Sequence, residues 1–340
     1  MRKSRFAVGV CVFLFLAFVG VAAIARAASA SKNGSSAAAT QTTPACNRAC
    51  LQNIMDEYVA ALAKHDDDGL PLASNVKFTE NTAPLQIGDG LWVGVTEAPS
   101  TFKIYALDPV AGQAGLFCTM KEFGKPVIVS IRLRVQGGKI TEIEHIVRRD
   151  PRPEGLPNLV TPRPGFLADV PAPERTPREK MRQIGDAYFD TIVKGNGDLA
   201  PFAADCERHE NGVQTTTVKD LPAKGPDGGP LSPVMGKLLS LGCHDSMNDG
   251  AWSYITKIEP RRVLIVDEQK GIVFAYPMFV HRGAVREMTI KGVPGADKMP
   301  ISFGPINMEA TAVFKIRAGK IHEIEAMGFL LPYGATTGWE

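Results

Sequence analysis

The chain carries the same chemistry-bearing trio twice at the same spacing: Tyr58, Glu80 and Asn81, then Tyr188, Glu210 and Asn211. A carboxyl group shielded from water resists ionisation, so it can exchange a proton near neutral pH. A buried phenol can donate a hydrogen bond to an oxygen on which negative charge develops. A Tyr–Glu pair facing one apolar pocket is thus equipped for proton transfer on a small organic molecule. The same residues also have a purely structural reading. A tyrosine on an apolar helix stripe can be a core residue with a satisfied hydroxyl, and Glu210-Asn211-Gly212 can be a strand running into a turn.

Other polar candidates cluster around the second trio. Arg208 shares a strand face with Glu210, so it is placed either to hold a substrate carboxylate or to pair with Glu210, two roles that oppose each other. His209 alternates to the opposite face. His244 follows Cys243 and precedes Asp245. Through an expected Cys206–Cys243 bond it is carried toward the Glu210 strand, which makes it the histidine to rank with Tyr188 and Glu210. His281 and Tyr276 occupy opposite faces of one strand, and Tyr276 is included with Arg208 and Asn211 as a substrate contact. The chain has no metal-ligand spacing of Cys or His, no phosphate loop and no dinucleotide fingerprint, so chemistry without metal or cofactor is expected.

These residues sit in a duplicated frame. Sliding residues 54–82 by 130 positions lays Ile54, Asp56, Tyr58, Lys64, Asp68, Pro71, Ala73, Glu80 and Asn81 on identical residues of 184–212. Gly138-Lys-Ile-Thr-Glu-Ile-Glu144 returns as Gly319-Lys-Ile-His-Glu-Ile-Glu325. The period is too long for a solenoid and indicates two related domains. Each half opens with a helix whose apolar residues recur every four positions: Ile54, Tyr58 and Leu62, then Ile184, Tyr188 and Ile192. Strand-like runs follow at 102–107, 113–122, 126–136 and 139–148, and at 261–267, 272–281, 308–317 and 320–329, separated by Asp-Pro and Gly-rich turns. The expected class is α+β: two tandem cone-shaped domains, each with N-terminal helices on a curved, mainly antiparallel sheet. Insertions at 219–260 and near 283–306 occur only in the second half.

The expected layout is a signal peptide at 1–30, a tether at 31–45, one domain at 46–150, a Pro-rich linker at 151–177 and a second domain at 178–340. Arg2, Lys3 and Arg5 precede an apolar run from Phe6 to Ile24, with Ala28-Ser-Ala30 at the cleavage positions. That run is also long enough to serve as an uncleaved membrane anchor. Either way the body is expected outside the cytoplasm, secreted or periplasmic, without membrane contact once the signal is removed. A net charge of +2 and scattered Lys and Arg argue against nucleic acid as a partner. Of the five cysteines beyond the signal, Cys206 and Cys243 bracket the first insertion and are expected to pair. Cys46 and Cys50 lie one helical turn apart and can pair only if Cys46 precedes the helix.

The element order and the Gly-Lys-Ile-x-Glu-Ile-Glu signature resemble the nuclear transport factor 2-like superfamily across both halves. The second half is similar to an exported branch of it through Asp205-Cys-Glu-Arg-His-Glu-Asn-Gly212, Arg261-Arg262, Asp267-Glu268, Tyr333-Gly334 and Thr337-Gly338-Trp339. Within the superfamily, Tyr188 and Glu210, five residues after Asp205, are similar to the ketosteroid isomerase pattern. That resemblance implies Tyr188 as oxyanion donor and Glu210 as base. No Asp matches the second oxyanion donor of those enzymes, and Glu309 stands in the corresponding strand region. The expectation is an isomerase or lyase acting on a small, partly apolar molecule by proton abstraction, with the site in the second half. The competing expectation is a non-catalytic module for a small ligand or a partner, because the superfamily holds both. Superfamily members also dimerise through their sheets, so the two halves are expected to pair within one monomeric chain.

Overall fold

The computed structural model describes residues 46–99, 101–225, 229–293, 298–301 and 303–340. The expected signal peptide and tether lie outside them. The first half runs α1 (Arg48–Lys64), β1 (Leu72–Glu80), β2 (Ala83–Pro84), α2 (Leu91–Gly94), β3 (Val95–Glu97), β4 (Lys103–Asp108), β5 (Gln113–Glu122), β6 (Lys125–Gln136) and β7 (Lys139–Arg149). After α3 (Pro164–Leu167), the second half runs α4 (Arg178–Lys194), β8 (Phe202–Glu210), β9 (Val213–Gln214), α5 (Pro233–Ser240), α6 (Asp245–Asn248), β10 (Lys257–Asp267), β11 (Ile272–His281), β12 (Glu287–Thr289), β13 (Lys298–Pro300), β14 (Ile306–Arg317) and β15 (Lys320–Pro332).

Each half is a helix on a curved sheet, as the periodicities predict. One sheet is ordered β2-β1-β7-β6-β5-β3 with β4 also on β5; the other is ordered β10-β11-β14-β15-β8-β9. In both, the strand carrying the Glu-Asn pair lies parallel to the strand carrying the Gly-Lys-Ile signature. Glu80 stands opposite His145, and Glu210 opposite Ala326. The long helices bury the expected stripes, Leu51, Ile54, Met55, Tyr58 and Leu62 on α1 and Met181, Ile184, Tyr188 and Ile192 on α4. Asn47 caps α1 by accepting from the Cys50 amide, and Gly195 ends α4 in the left-handed region that favours glycine.

Among the described residues three apolar clusters form. One lies under α1 and one under α4, while the third joins the outer faces of the two sheets. In this shared core Phe102, Phe117, Ile128 and Ile146 meet Ile265, Phe274, Tyr276 and Val313. The sheets approach so closely at Gly115 that a Cβ there would stand 2.7 Å from the Ile265 side chain. Reciprocal ion pairs frame the contact. Arg48 reaches Asp267, which accepts the Leu107 amide, and Arg178 reaches Asp108, which accepts the Val266 amide. Each side uses equivalent groups, the pattern of a two-fold interface.

The linker is packed against the second half. Phe166 and Val170 are buried, and Arg163 donates to the Ile324 carbonyl while pairing with Glu325 at 3.1 Å. Cys206 is bonded to Cys243, and Cys46 to Cys50. The second bond forms because the helix begins only at Arg48, which frees Cys46 from helical geometry. Cys118 is a buried free thiol. Disulfides suit an oxidising compartment, and among the described residues no helix is long and apolar enough to cross a membrane.

Candidate functional site

Tyr188 points inward because it lies on the buried stripe of α4, with edge-on contacts to Phe189, Phe202 and Phe314 at 5.0–6.2 Å. Glu210 and Arg208 project from β8 toward the same interior, since alternate residues of a strand share a face. Tyr188, Glu210 and Asn211 line one cavity of about 160 Å³ with Phe189, Ile192, Trp252, Tyr254, Phe279, Met308, Ala310, Ala312 and Ala326–Gly328. Burial pushes the Tyr188 hydroxyl above its ordinary range, so it remains a phenol able to donate. The Arg208 Nε lies 3.0 Å from Glu210, and the two side chains are 4% and 31% exposed. Arg208 also donates to Thr215 and Ser246, and its guanidinium lies 5.3 Å from the Trp252 ring centre.

The cavity exists because its floor is made of small residues. Ala310, Ala312, Ala326 and Gly328 occupy the β14–β15 positions at which β6–β7 carry Val129, Ile131, His145 and Val147. In the first half those larger side chains close the space. His145 Nε2 lies 2.8 Å from the Tyr58 hydroxyl, and Trp92 donates to the same oxygen at 3.2 Å. Glu80 accepts from the Leu91 amide and from Arg149. Burial pushes Glu80 upward, but His145, Arg149 and the Leu91 amide outweigh it and hold the carboxyl at about 2. The first Tyr–Glu pair is therefore a sealed internal network, while the second faces open space.

Asn211 has a structural task as well. It stands at positive φ, its amide donates to the Ala326 carbonyl, and its side chain accepts from the Gly328 amide. Asn81 clamps Val147 in the same way. The repeated Asn thus locks the parallel strand pair at a turn, as its structural reading holds. Three other residues are not brought to the cavity. His244 is 43% exposed and lies between Asp198 and Asp245, at 2.8 Å from each, because its loop turns it to solvent. Tyr276 and Glu309 project from the other face of β11 and β14 into the joint between the sheets. There Arg262 reaches both Glu144 and Glu309, and Arg132 pairs with Glu144 and Glu142. Burial first, then the Glu144 charge, pushes Glu309 up to about 8.

Trp252 and Tyr254 come from the insertion, whose lack of hydrophobic period hid them. Cys243 ties that insertion to β8 at Cys206. The small floor does leave a sequence signal. Reading on from the repeated signature, His145-Ile-Val147 meets Ala326-Met-Gly328, a loss of bulk at alternate positions of one strand.

A family described as a domain of unknown function (DUF8021) matches residues 174–328. No curated protein matches the chain. Among solved structures, a de novo designed protein with a curved β-sheet is similar at 15% identity and TM-score 0.26, covering 31% of this chain and 91% of its own. A nuclear transport factor 2-like protein of unknown function from Cytophaga hutchinsonii is similar at 16% identity and TM-score 0.25, covering 30% and 92%. A steroid delta-isomerase from Pseudomonas aeruginosa is similar at 17% identity and TM-score 0.23, covering 30% and 82%.

Proposed function

We propose that the second half is a nuclear transport factor 2-like domain, one of two tandem copies in an exported chain, and that it catalyses isomerisation or elimination on a small, partly apolar molecule without a cofactor. In this reading the substrate carbonyl meets the Tyr188 hydroxyl, Glu210 takes a proton from the adjacent carbon, and Tyr188 donates to the enolate oxygen. The proton is then returned at another carbon, or a leaving group departs. Arg208 holds the Glu210 carboxylate in place through its ion pair, and the aromatic and alanine walls give the substrate an apolar surface. The observation that carries the reading is the placement of Tyr188 and Glu210 on one cavity, opened by small residues where the first half is filled.

A second reading is a binding site without turnover. The 3.0 Å Arg208–Glu210 pair supports it, because an arginine-held carboxylate is already partnered before a substrate arrives. The two are separated by incubating the protein in D₂O with a panel of small enolisable ketones and following deuterium uptake at the α-carbon by NMR. Catalysis predicts uptake above background, slowed on the order of 10²-fold or more by Glu210→Gln and by Tyr188→Phe. Uptake that survives in both variants refutes these roles, and binding without uptake establishes the second reading.

A further inference from the structure

A second chamber of about 290 Å³ shares Glu210, Trp252 and Tyr254 with the cavity as lining residues. Apart from Arg208, Glu210 and Thr215, its lining comes from the insertions found only in the second half. Met235, Leu238 and Leu239 lie on or beside α5, with Met288 and Phe303 from the later excursion. The polar side of this chamber is largely satisfied from within. Arg208 is engaged by Glu210, Thr215 and Ser246, and Asp249 accepts the Ala251 amide at 2.7 Å. What the chamber offers a ligand is therefore mostly hydrocarbon and thioether surface. Met235 and Met288, unbranched and polarizable, can adapt their shape to a flexible chain.

We propose that the substrate is an elongated molecule with a compact carbonyl-bearing head in the inner cavity and an unbranched aliphatic tail in the outer chamber. This rests on the functional reading above for the placement of the head. The polar groups lie at the junction, so the reactive centre belongs where head and tail meet, beside Glu210. The first half lacks the insertions, and at the positions of the small floor it carries Val129, Ile131, His145 and Val147.

The test uses straight-chain 2-alkanones from pentanone to tridecanone, with binding read by tryptophan fluorescence and calorimetry. Each added methylene is expected to tighten binding about fourfold until the outer chamber is filled. The paired substitutions Leu238→Asp and Met288→Asp, both at half-buried positions, should abolish that chain-length dependence while leaving the affinity for pentanone unchanged. A matching series of 2-alkanols, which cannot enolise, should show the same steps. The alkanols isolate binding from turnover, and the alkanones separate the two proposals: chain-length steps in both series with no deuterium uptake by the alkanones retain the tail site and remove the catalytic reading. Affinity that does not change with chain length, or steps that persist in the double variant, overturns the proposal.

Discussion

Substituting Glu309→Gln should change how the stability of this protein depends on pH. Glu309 is 1% exposed at the joint between the sheets, 3.1 Å from Arg262, with Glu144 and Arg132 in the same buried network. Burial and the Glu144 charge outweigh Arg262 and raise its carboxyl from 4.5 to about 8. Between these values the folded chain holds a proton that the unfolded chain has released, so stability falls as pH rises from about 4.5 through 8. At 1.36 kcal/mol per pH unit the full effect is about 5 kcal/mol; sharing of charge with Glu144 brings the expected range to about 2–5 kcal/mol. Gln keeps an oxygen for Arg262 and has nothing to ionise. Urea unfolding at pH 5, 7 and 9 should give parent and variant within about 1 kcal/mol at pH 5, with the variant more stable by the stated range at pH 9. The difference between the two proteins cancels groups that titrate alike in both, including Glu325, which burial raises to about 7, and His209, which burial and Arg163 lower to about 4. Parallel profiles from pH 5 to 9 would refute the reasoning.

Two further outcomes follow from the same geometry. Replacing Cys206 and Cys243 together by Ala removes a cross-link between residues 37 apart. This should cost about 4 kcal/mol by chain entropy and weaken ketone binding by releasing Trp252 and Tyr254; a loss under about 1 kcal/mol in urea unfolding contradicts it. Glu80→Gln should destabilise the first half by about 2–3 kcal/mol at pH 7, because the native carboxyl is held at about 2 by partners that Gln satisfies less well. That stabilisation is present above the unfolded value of about 4.5 and is lost as pH falls through about 2. The variant should retain ligand binding and deuterium exchange while Glu210→Gln loses exchange, and equal damage from both substitutions would make the two halves functionally equivalent.

The fold class was legible in the sequence because local signals and long-range packing agree. The four-residue stripes of α1 and α4, the turn residues between strands and the repeated Gly-Lys-Ile signature each specify an element whose partner is its neighbour in sequence or in the repeat. The Cys206–Cys243 bond was legible too, since the two residues flank one insertion. What the sequence left open is which way each side chain of the central strands faces. Along β11 nine of ten positions are buried, because α4 covers one face and the other sheet covers the second. With both faces dry, the alternation that normally distinguishes inside from outside disappears. Tyr276 and Glu309 therefore read as cavity residues in the sequence and turn out to lie in the joint. His244, Trp252 and Tyr254 belong to a loop with no period, so only its packing sent the histidine to solvent and the two aromatic rings to the cavity. The cavity itself is a tertiary property: Ala310, Ala312, Ala326 and Gly328 come from two strands and form a floor only when the register of β14 on β15 brings them side by side.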